Sequence, residues 1–183
     1  NSSNGGTGKT TVSVNLQHAI ARDLTNNVLL VDCDVEEPND RIFFPDSQVA
    51  DMQDVLRMVP EINTNKCTFC RRCVEYCEYN AIVVIPPAGF AEINSSLCHS
   101  CGACSVACRD GAITETPLAE GTVNWLETAT GRGLAEGDLR VGSAMQTMMI
   151  KELKKSVGDD YDMIIYDAPP GTSCPVVETI SDV

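Results

Sequence analysis

The sequence predicts an α/β protein, a parallel sheet flanked by helices and interrupted by a small cysteine-rich α+β module. Three observations carry this. A glycine-rich loop, Asn4-Gly5-Gly6-Thr7-Gly8-Lys9-Thr10-Thr11, runs into a segment whose apolar Val12, Leu16, Ala19 and Ile20 recur at helical spacing. Two apolar runs, Val28-Leu29-Leu30-Val31 and Met163-Ile164-Ile165-Tyr166, each end at an aspartate, Asp32 and Asp167. Between those aspartates stand eight cysteines in two runs of identical spacing.

Taken in order, the glycine-rich loop should follow a buried strand, and no such strand precedes it here. The chain also stops soon after the second aspartate, where an α/β sheet would need more strands to cover its core, so it is expected to be a fragment, incomplete at both ends. The helix after the loop leads into a buried parallel strand at 28–31. A polar stretch with a short helical pattern from Val49 to Met58 reaches Pro60, where composition turns cysteine-rich. The cysteine-rich stretch ends near Pro117. Thr122 to Val141 reads as short strands punctuated by glycine, followed by a helix from about Ser143 to Val157 and a second buried strand at 162–167. The predicted domains are 1–60, 61–117 and 118–183, the outer two forming one domain around the insert.

Composition narrows the function. Thirteen basic against 26 acidic residues among 183 give a net charge of −13, which repels phosphate backbones, disfavours nucleic acid and favours basic redox proteins as partners. No apolar run approaches the ~18 residues of a membrane helix, and no charged-then-apolar leader opens the sequence, so no membrane span and a cytoplasmic location are expected. Eight of the ten cysteines sit at metal-ligand spacing, which reads as ligands in a reducing compartment and not as disulfides.

Each cysteine run reads C-x2-C-x2-C-x3-C, and a shift of 31 residues superimposes Cys67, Cys70, Cys73, Cys77, Ala81 and Ile82 on Cys98, Cys101, Cys104, Cys108, Ala112 and Ile113. That spacing lets three thiolates on a tight loop grip one cubane while the fourth reaches its neighbour. It gives Cys67, Cys70, Cys73 and Cys108 to one [4Fe-4S] cluster and Cys98, Cys101, Cys104 and Cys77 to the other. Small neighbours such as Gly102 and Ala103 leave backbone amides free to face the sulfurs. The stretch from Asn63 to about Thr116 resembles a bacterial two-cluster ferredoxin, with Glu78 and Arg109 where that family usually has proline after the fourth cysteine. A pair of zinc sites is the alternative; zinc ligands seldom come as duplicated four-cysteine runs. Outside the repeat, Cys33 at a strand end reads as a small buried hydrophobe, and Cys174 as either a packing thiol or a surface ligand.

In the glycine-rich loop, Gly5, Gly6 and Gly8 let consecutive N–H groups face phosphate oxygens at a helix N-terminus, with Thr7 among them. Lys9 would neutralise β/γ-phosphate charge, Thr10 would offer its hydroxyl to Mg²⁺, and Thr11 would stand near the α-phosphate. Ser3 occupies the position where a strict Walker A has glycine. Asp34, just past the first strand, is placed to order a Mg²⁺-bound or attacking water; Asp167 would hold Mg²⁺ through water, and Gly171 in Asp167-Ala168-Pro169-Pro170-Gly171 would sense the γ-phosphate. Glu36 and Glu37 read as a solvated loop. These three motifs resemble the deviant Walker-A ATPases of the SIMIBI/MinD type, the group of MinD, ParA, Mrp-type proteins and nitrogenase iron protein, and most closely MinD-superfamily ATPases with an inserted ferredoxin domain. The resemblance implies a P-loop ATPase that binds ATP and Mg²⁺, with Lys9, Asp34 and Asp167 as catalytic residues and a homodimer when full length. In that family a signature lysine precedes the paired glycines; Asn4 stands here instead, which predicts slow hydrolysis. In nitrogenase iron protein a cysteine just beyond the second switch ligates a shared cluster, and Cys174 lies seven residues past Asp167.

The weaker features are assigned to packing: Met145, Met148 and Met149 to a core, His18 to the helix after the loop, His99 to a cysteine loop, and Trp125 to a hairpin closing the seam beside the insert. The fused motifs predict ATP-dependent electron transfer to an unidentified redox partner. The alternatives are an iron–sulfur carrier of the Mrp type that delivers a labile cluster to an acceptor protein through a thiol such as Cys174, and a positioning ATPase whose clusters sense redox state.

Overall fold

The computed structural model describes residues 8–22, 27–128, 131–158 and 160–181. The chain divides into two compact units, one made of Asn1–Val55 with Glu120–Val183 and the other of Leu56–Ala119. The boundaries fall inside two long strands, a few residues from the composition changes at Pro60 and Pro117.

In the first unit, helix α1 (Lys9–Ala21) precedes strand β1 (Val28–Asp32), every residue of which is buried. Strands β2 (Gln48–Ile62), β5 (Ile113–Thr128), β6 (Gly131–Leu139) and β7 (Met163–Asp167) complete a five-stranded sheet in the order β2-β5-β6-β1-β7. β1 runs parallel to β6 and to β7, whereas β5 and β6 are antiparallel. The sheet is therefore mixed and not wholly parallel, because residues 113–139 turn back on themselves as a hairpin of two long strands. Gly121 makes one close approach possible, since a Cβ there would stand 2.1 Å from Asp138 O.

Alternation along β1 places two cores on the two faces of the sheet. Leu29 and Val31 pack with Val55, Val123, Trp125, Ala135 and the α4 (Gln146–Ser156) residues Met149, Ile150 and Leu153. Leu30 packs with Val14 of α1, Phe44, Leu126 and Leu134. Met145 and Met148 lie against the first of these cores, as helical spacing predicts, and Trp125 belongs inside it.

Three expectations fail. Val49 to Met58 is strand and not helix, because Val55, Arg57 and Val59 are buried while Leu56 and Met58 are exposed, a period of two. α1 turns Val14 and Gln17 inward, leaving Val12 and Leu16 exposed. β7 is half-buried and not fully buried, lying at the edge of the described sheet.

The second unit holds helix α2 (Arg72–Glu75), the antiparallel hairpin β3 (Ile82–Ile85) and β4 (Phe90–Ile93), and helix α3 (Ala103–Ala107). Its core gathers Cys73, Ala81, Ile82, Val84, Cys98 and Cys104, so cysteines supply half of its buried apolar side chains. Among the described residues no helix is long and apolar enough to cross a membrane.

Candidate functional site

The glycine-rich loop enters α1 at Gly8, whose φ of 81° is a left-handed conformation that L side chains rarely adopt, with open space where a Cβ would sit. Asn4, Gly5, Gly6 and Thr7 lie outside the described residues. The first turn of α1 carries Lys9, Thr10 and Thr11, and its early N–H groups have no partner within the helix, which makes a helix start an anion-binding element.

The same turn meets the end of β7. Thr10 Oγ1 donates to Asp167 Oδ2 at 2.6 Å. Ser13 Oγ lies 3.0 Å from Asp167 Oδ1 and 3.1 Å from Lys9 O, its one proton serving one acceptor at a time. Asp32, opposite Asp167 in register, accepts from the backbone N–H groups of Asp34 (3.0 Å), Asn39 (2.8 Å) and Asp40 (3.0 Å). One carboxylate thus folds the loop after β1 back over its strand end.

That fold-back brings Asp32, Asp40 and Asp167 together, all buried, with one oxygen of each within 4.8 Å of the others. Glu136, opposite Asp32 on β6, adds a fourth buried carboxylate, its Oε1 3.3 Å from both Arg41 Nη1 and Asn124 Nδ2. Both oxygens of Asp40 and Glu136 Oε2 have no hydrogen-bond partner among the described residues. Burial, then the charges of Asp32 and Asp167, pushes the Asp40 carboxyl up to about 9. Burial, then Asp32, Glu36 and Glu37, pushes Asp34 to about 6. Burial also raises Asp32 and Glu136. Hard carboxylate oxygens short of positive charge are the donor set that Mg²⁺ takes, so this strand end fits a divalent cation.

The other predicted residues lie on the segments that follow β1 and β7. Asp34 is half-buried one residue beyond Cys33, Gly171 is exposed with φ 98°, and Glu36 and Glu37 are exposed. Cys33 is buried and its thiol is pushed up to about 12, chiefly by burial, as a packing cysteine would be. Cys174 is exposed at the start of helix α5 (Cys174–Ile180). Asp32, Asp40 and Glu136 were not predicted as site residues. Asp32 was legible as the last residue of an apolar run; Asp40 and Glu136 join it only through the loop's fold-back and the strand register.

In the second unit the 31-residue repeat holds in three dimensions. Phe69, Arg71 and Asn80 have positive φ, and so do their repeat mates Ser100, Gly102 and Gly111. Phe69 N–H faces Cys67 Sγ and Ser100 N–H faces Cys98 Sγ, both at 3.4 Å; Ala81 N–H and Ala112 N–H face Cys77 Sγ and Cys108 Sγ at 3.4 and 3.3 Å. Asn63 N–H bonds Ala112 O at 2.8 Å, and Asn94 N–H bonds Ala81 O at 2.7 Å. Two cavities result. One is lined by Cys67, Cys70, Cys73 and Cys108, the other by Cys98, Cys101, Cys104 and Cys77. Burial raises the Cys73 and Cys104 thiols, while the Arg72 N–H and the Thr68 side chain lower Cys70. His99 stacks on Tyr79 with ring centroids 3.7 Å apart; His18 stacks on Phe44 at 4.8 Å.

The sequence profile of the CobQ/CobB/MinD/ParA nucleotide binding domain matches residues 1–165. The chain belongs to this family. An uncharacterized protein of Methanocaldococcus jannaschii is 31% identical over 183 residues, the whole of this chain and 62% of that protein. The chain therefore spans less than two thirds of that relative's length. The septum site-determining protein MinD complexed with Mg-ADP from Pyrococcus horikoshii OT3 aligns with 96% of this chain and 49% of its own, at 17% identity and a TM-score of 0.42. Membership in a nucleotide-binding family accounts for the α/β sheet and for a glycine-rich loop opening a helix beside strand-end aspartates.

Proposed function

We propose that this chain binds ATP and Mg²⁺ in its first unit, carries two [4Fe-4S] clusters in its second, and serves ATP-dependent electron transfer. The observation that carries the cluster reading is the pair of cavities, each lined by three cysteines of one run and the fourth of the other. The repeated left-handed residues aim backbone N–H groups at cysteine sulfur, the contact by which proteins tune such clusters. Zinc would draw its four thiolates to about 3.8 Å from one another, given a Zn–S bond of about 2.3 Å in a tetrahedron. Among the described residues no three cysteine sulfurs of a set lie within 4.8 Å of one another, which favours separate irons over one zinc.

Bound in those cavities, the clusters would supply reversible one-electron sites. The chain's own residues hold them by eight thiolates and shield them with Val84, Ile62, Ile82 and Ile93. In the first unit Lys9 balances phosphate charge, and Thr10 and Asp167 flank the Mg²⁺ position. Asp34, half-buried and with a raised pKa, would orient a water or accept its proton. The insert enters and leaves the chain between Asp34 and Asp167 in sequence, so both connections lead to segments of the kind that respond to a γ-phosphate. A homodimer of the full-length protein and an unidentified redox partner complete the reading. The exposure of Cys174 favours a second one, an iron–sulfur carrier passing a labile cluster to an acceptor.

Anaerobic redox titration of the full-length protein with ADP, with a non-hydrolysable ATP analogue and with neither separates the two. Electron transfer coupled to nucleotide predicts that the potentials differ between states; a shift of about 60 mV corresponds to about 1.4 kcal/mol of coupling. Coincident potentials in all three states would reject it in favour of the carrier.

A further inference from the structure

The two cysteine runs share their left-handed turns, and the side chains around their cavities differ. Arg57 of β2 is 4% exposed. Its Nη1 donates to Cys98 O at 3.0 Å and to Ser100 Oγ at 3.4 Å, and its Nη2 donates to Ser95 O at 2.7 Å. These contacts fall on the second run, against the residue that supplies its first thiolate. The repeat mate of Ser100 is Phe69, which offers a ring where Ser100 offers the accepting hydroxyl.

Other charged residues beside the cavities are more exposed. Arg71 and Asp110 beside the first cavity are exposed and Arg72 half-exposed; Glu115, 3.1 Å from Ser105 Oγ and near Gly102, is exposed as well. Water and salt screen such groups. A guanidinium out of water acts through a lower dielectric and at greater strength. Reduction adds one negative charge to a cluster, so a buried cation alongside stabilises the reduced form and raises its potential.

We propose that Arg57 sets the order in which the two clusters are reduced, keeping the one held by Cys98, Cys101, Cys104 and Cys77 at the higher potential. The proposal rests on the cluster reading above. A single electron from an external low-potential one-electron donor then settles on that cluster, passing from the other without transfer of any atom. Arg57 is a positioning and tuning residue, since it holds the second run by the carbonyls of Ser95 and Cys98 and the hydroxyl of Ser100.

The test is a potentiometric titration of the full chain followed by electron paramagnetic resonance, with iron and acid-labile sulfide counted first in each protein. A chain lacking both fails the cluster reading and not this one. The expected wild-type result is two separate one-electron steps, the higher displaced by Cys77→Ser and the lower by Cys108→Ser. Arg57→Met should lower the higher step and leave the other in place, while Arg57→Lys, which keeps the charge, should preserve the order. An unchanged higher step in Arg57→Met with full iron would overturn the proposal. If that variant loses iron, the cysteine pair still decides: a higher step displaced by Cys108→Ser, or two coincident steps, would overturn it equally.

Discussion

The Thr10 hydroxyl reaches the Asp167 carboxylate at 2.6 Å across 157 residues of sequence, tying the first turn of α1 to the end of β7. Both are the groups assigned to Mg²⁺. Thr10→Ala and Asp167→Asn should each weaken Mg²⁺-dependent nucleotide binding by roughly tenfold or more, while Thr10→Ser, which keeps the hydroxyl, should bind nearly as wild type. Calorimetric titration with and without Mg²⁺ measures this; equal affinities in Thr10→Ala and wild type would remove Thr10 from the site.

Asp40 gives a pH dependence of defined sign. Its carboxyl is buried without a hydrogen-bond partner among the described residues, and its pKa is raised from 3.8 to about 9. The folded state therefore holds a proton that the unfolded chain releases, so this contribution is complete below pH ~4 and is lost as pH rises through about 9. Asp34, raised to about 6, acts in the same direction over a narrower range. In nucleotide-free protein with chelator, stability should fall between pH 5 and 9, and Asp40→Asn should flatten the fall and stabilise at pH 8.5 by about 1–3 kcal/mol. Chemical denaturation at several pH values reports it, and an identical slope in the variant would contradict the assignment.

The repeat makes a prediction about strain. Arg71 turns with φ 66° where its mate Gly102 makes the same turn with φ 71°. A non-glycine residue there costs roughly 1–2 kcal/mol, partly offset by the greater entropy glycine has when unfolded. Arg71→Gly should be neutral or stabilising by up to about 1 kcal/mol, and Gly102→Ala should destabilise by about 1 kcal/mol. Thermal melts of the two variants should move in these opposite senses.

Cross-ligation is tested by Cys108→Ala. The variant should damage the site of Cys67, Cys70 and Cys73, with which Cys108 shares a cavity, and spare the site of the cysteines nearest it in sequence. Spectra showing the opposite site lost would refute the assignment.

Much of this was legible in the sequence where the signal is local. The run Val28–Val31 gave its strand, because a short, partly β-branched apolar run closed by an aspartate suits a strand buried on both faces. The cysteine repeat was legible as spacing, whereas its shared left-handed turns at 69, 71 and 80 emerge only in the structure. The rest depended on partners distant in sequence. Arg57 between Leu56 and Met58 looks like a solvated position, and is buried because the Ser95 and Cys98 carbonyls take its donors. Asp40 meets Asp167 because Asp32 gathers the intervening N–H groups. The hairpin around Trp125 was legible, but its two long strands read as short ones because glycines at 121, 131, 133 and 137 break the alternation, although Gly121 is what lets the strands approach.

In the proposed reading the eight repeated cysteines hold two four-iron clusters. Iron, zinc and acid-labile sulfide measured in anaerobically purified full-length protein test it most directly. About eight irons and eight sulfides per chain are expected; stoichiometric zinc without sulfide would rule the clusters out.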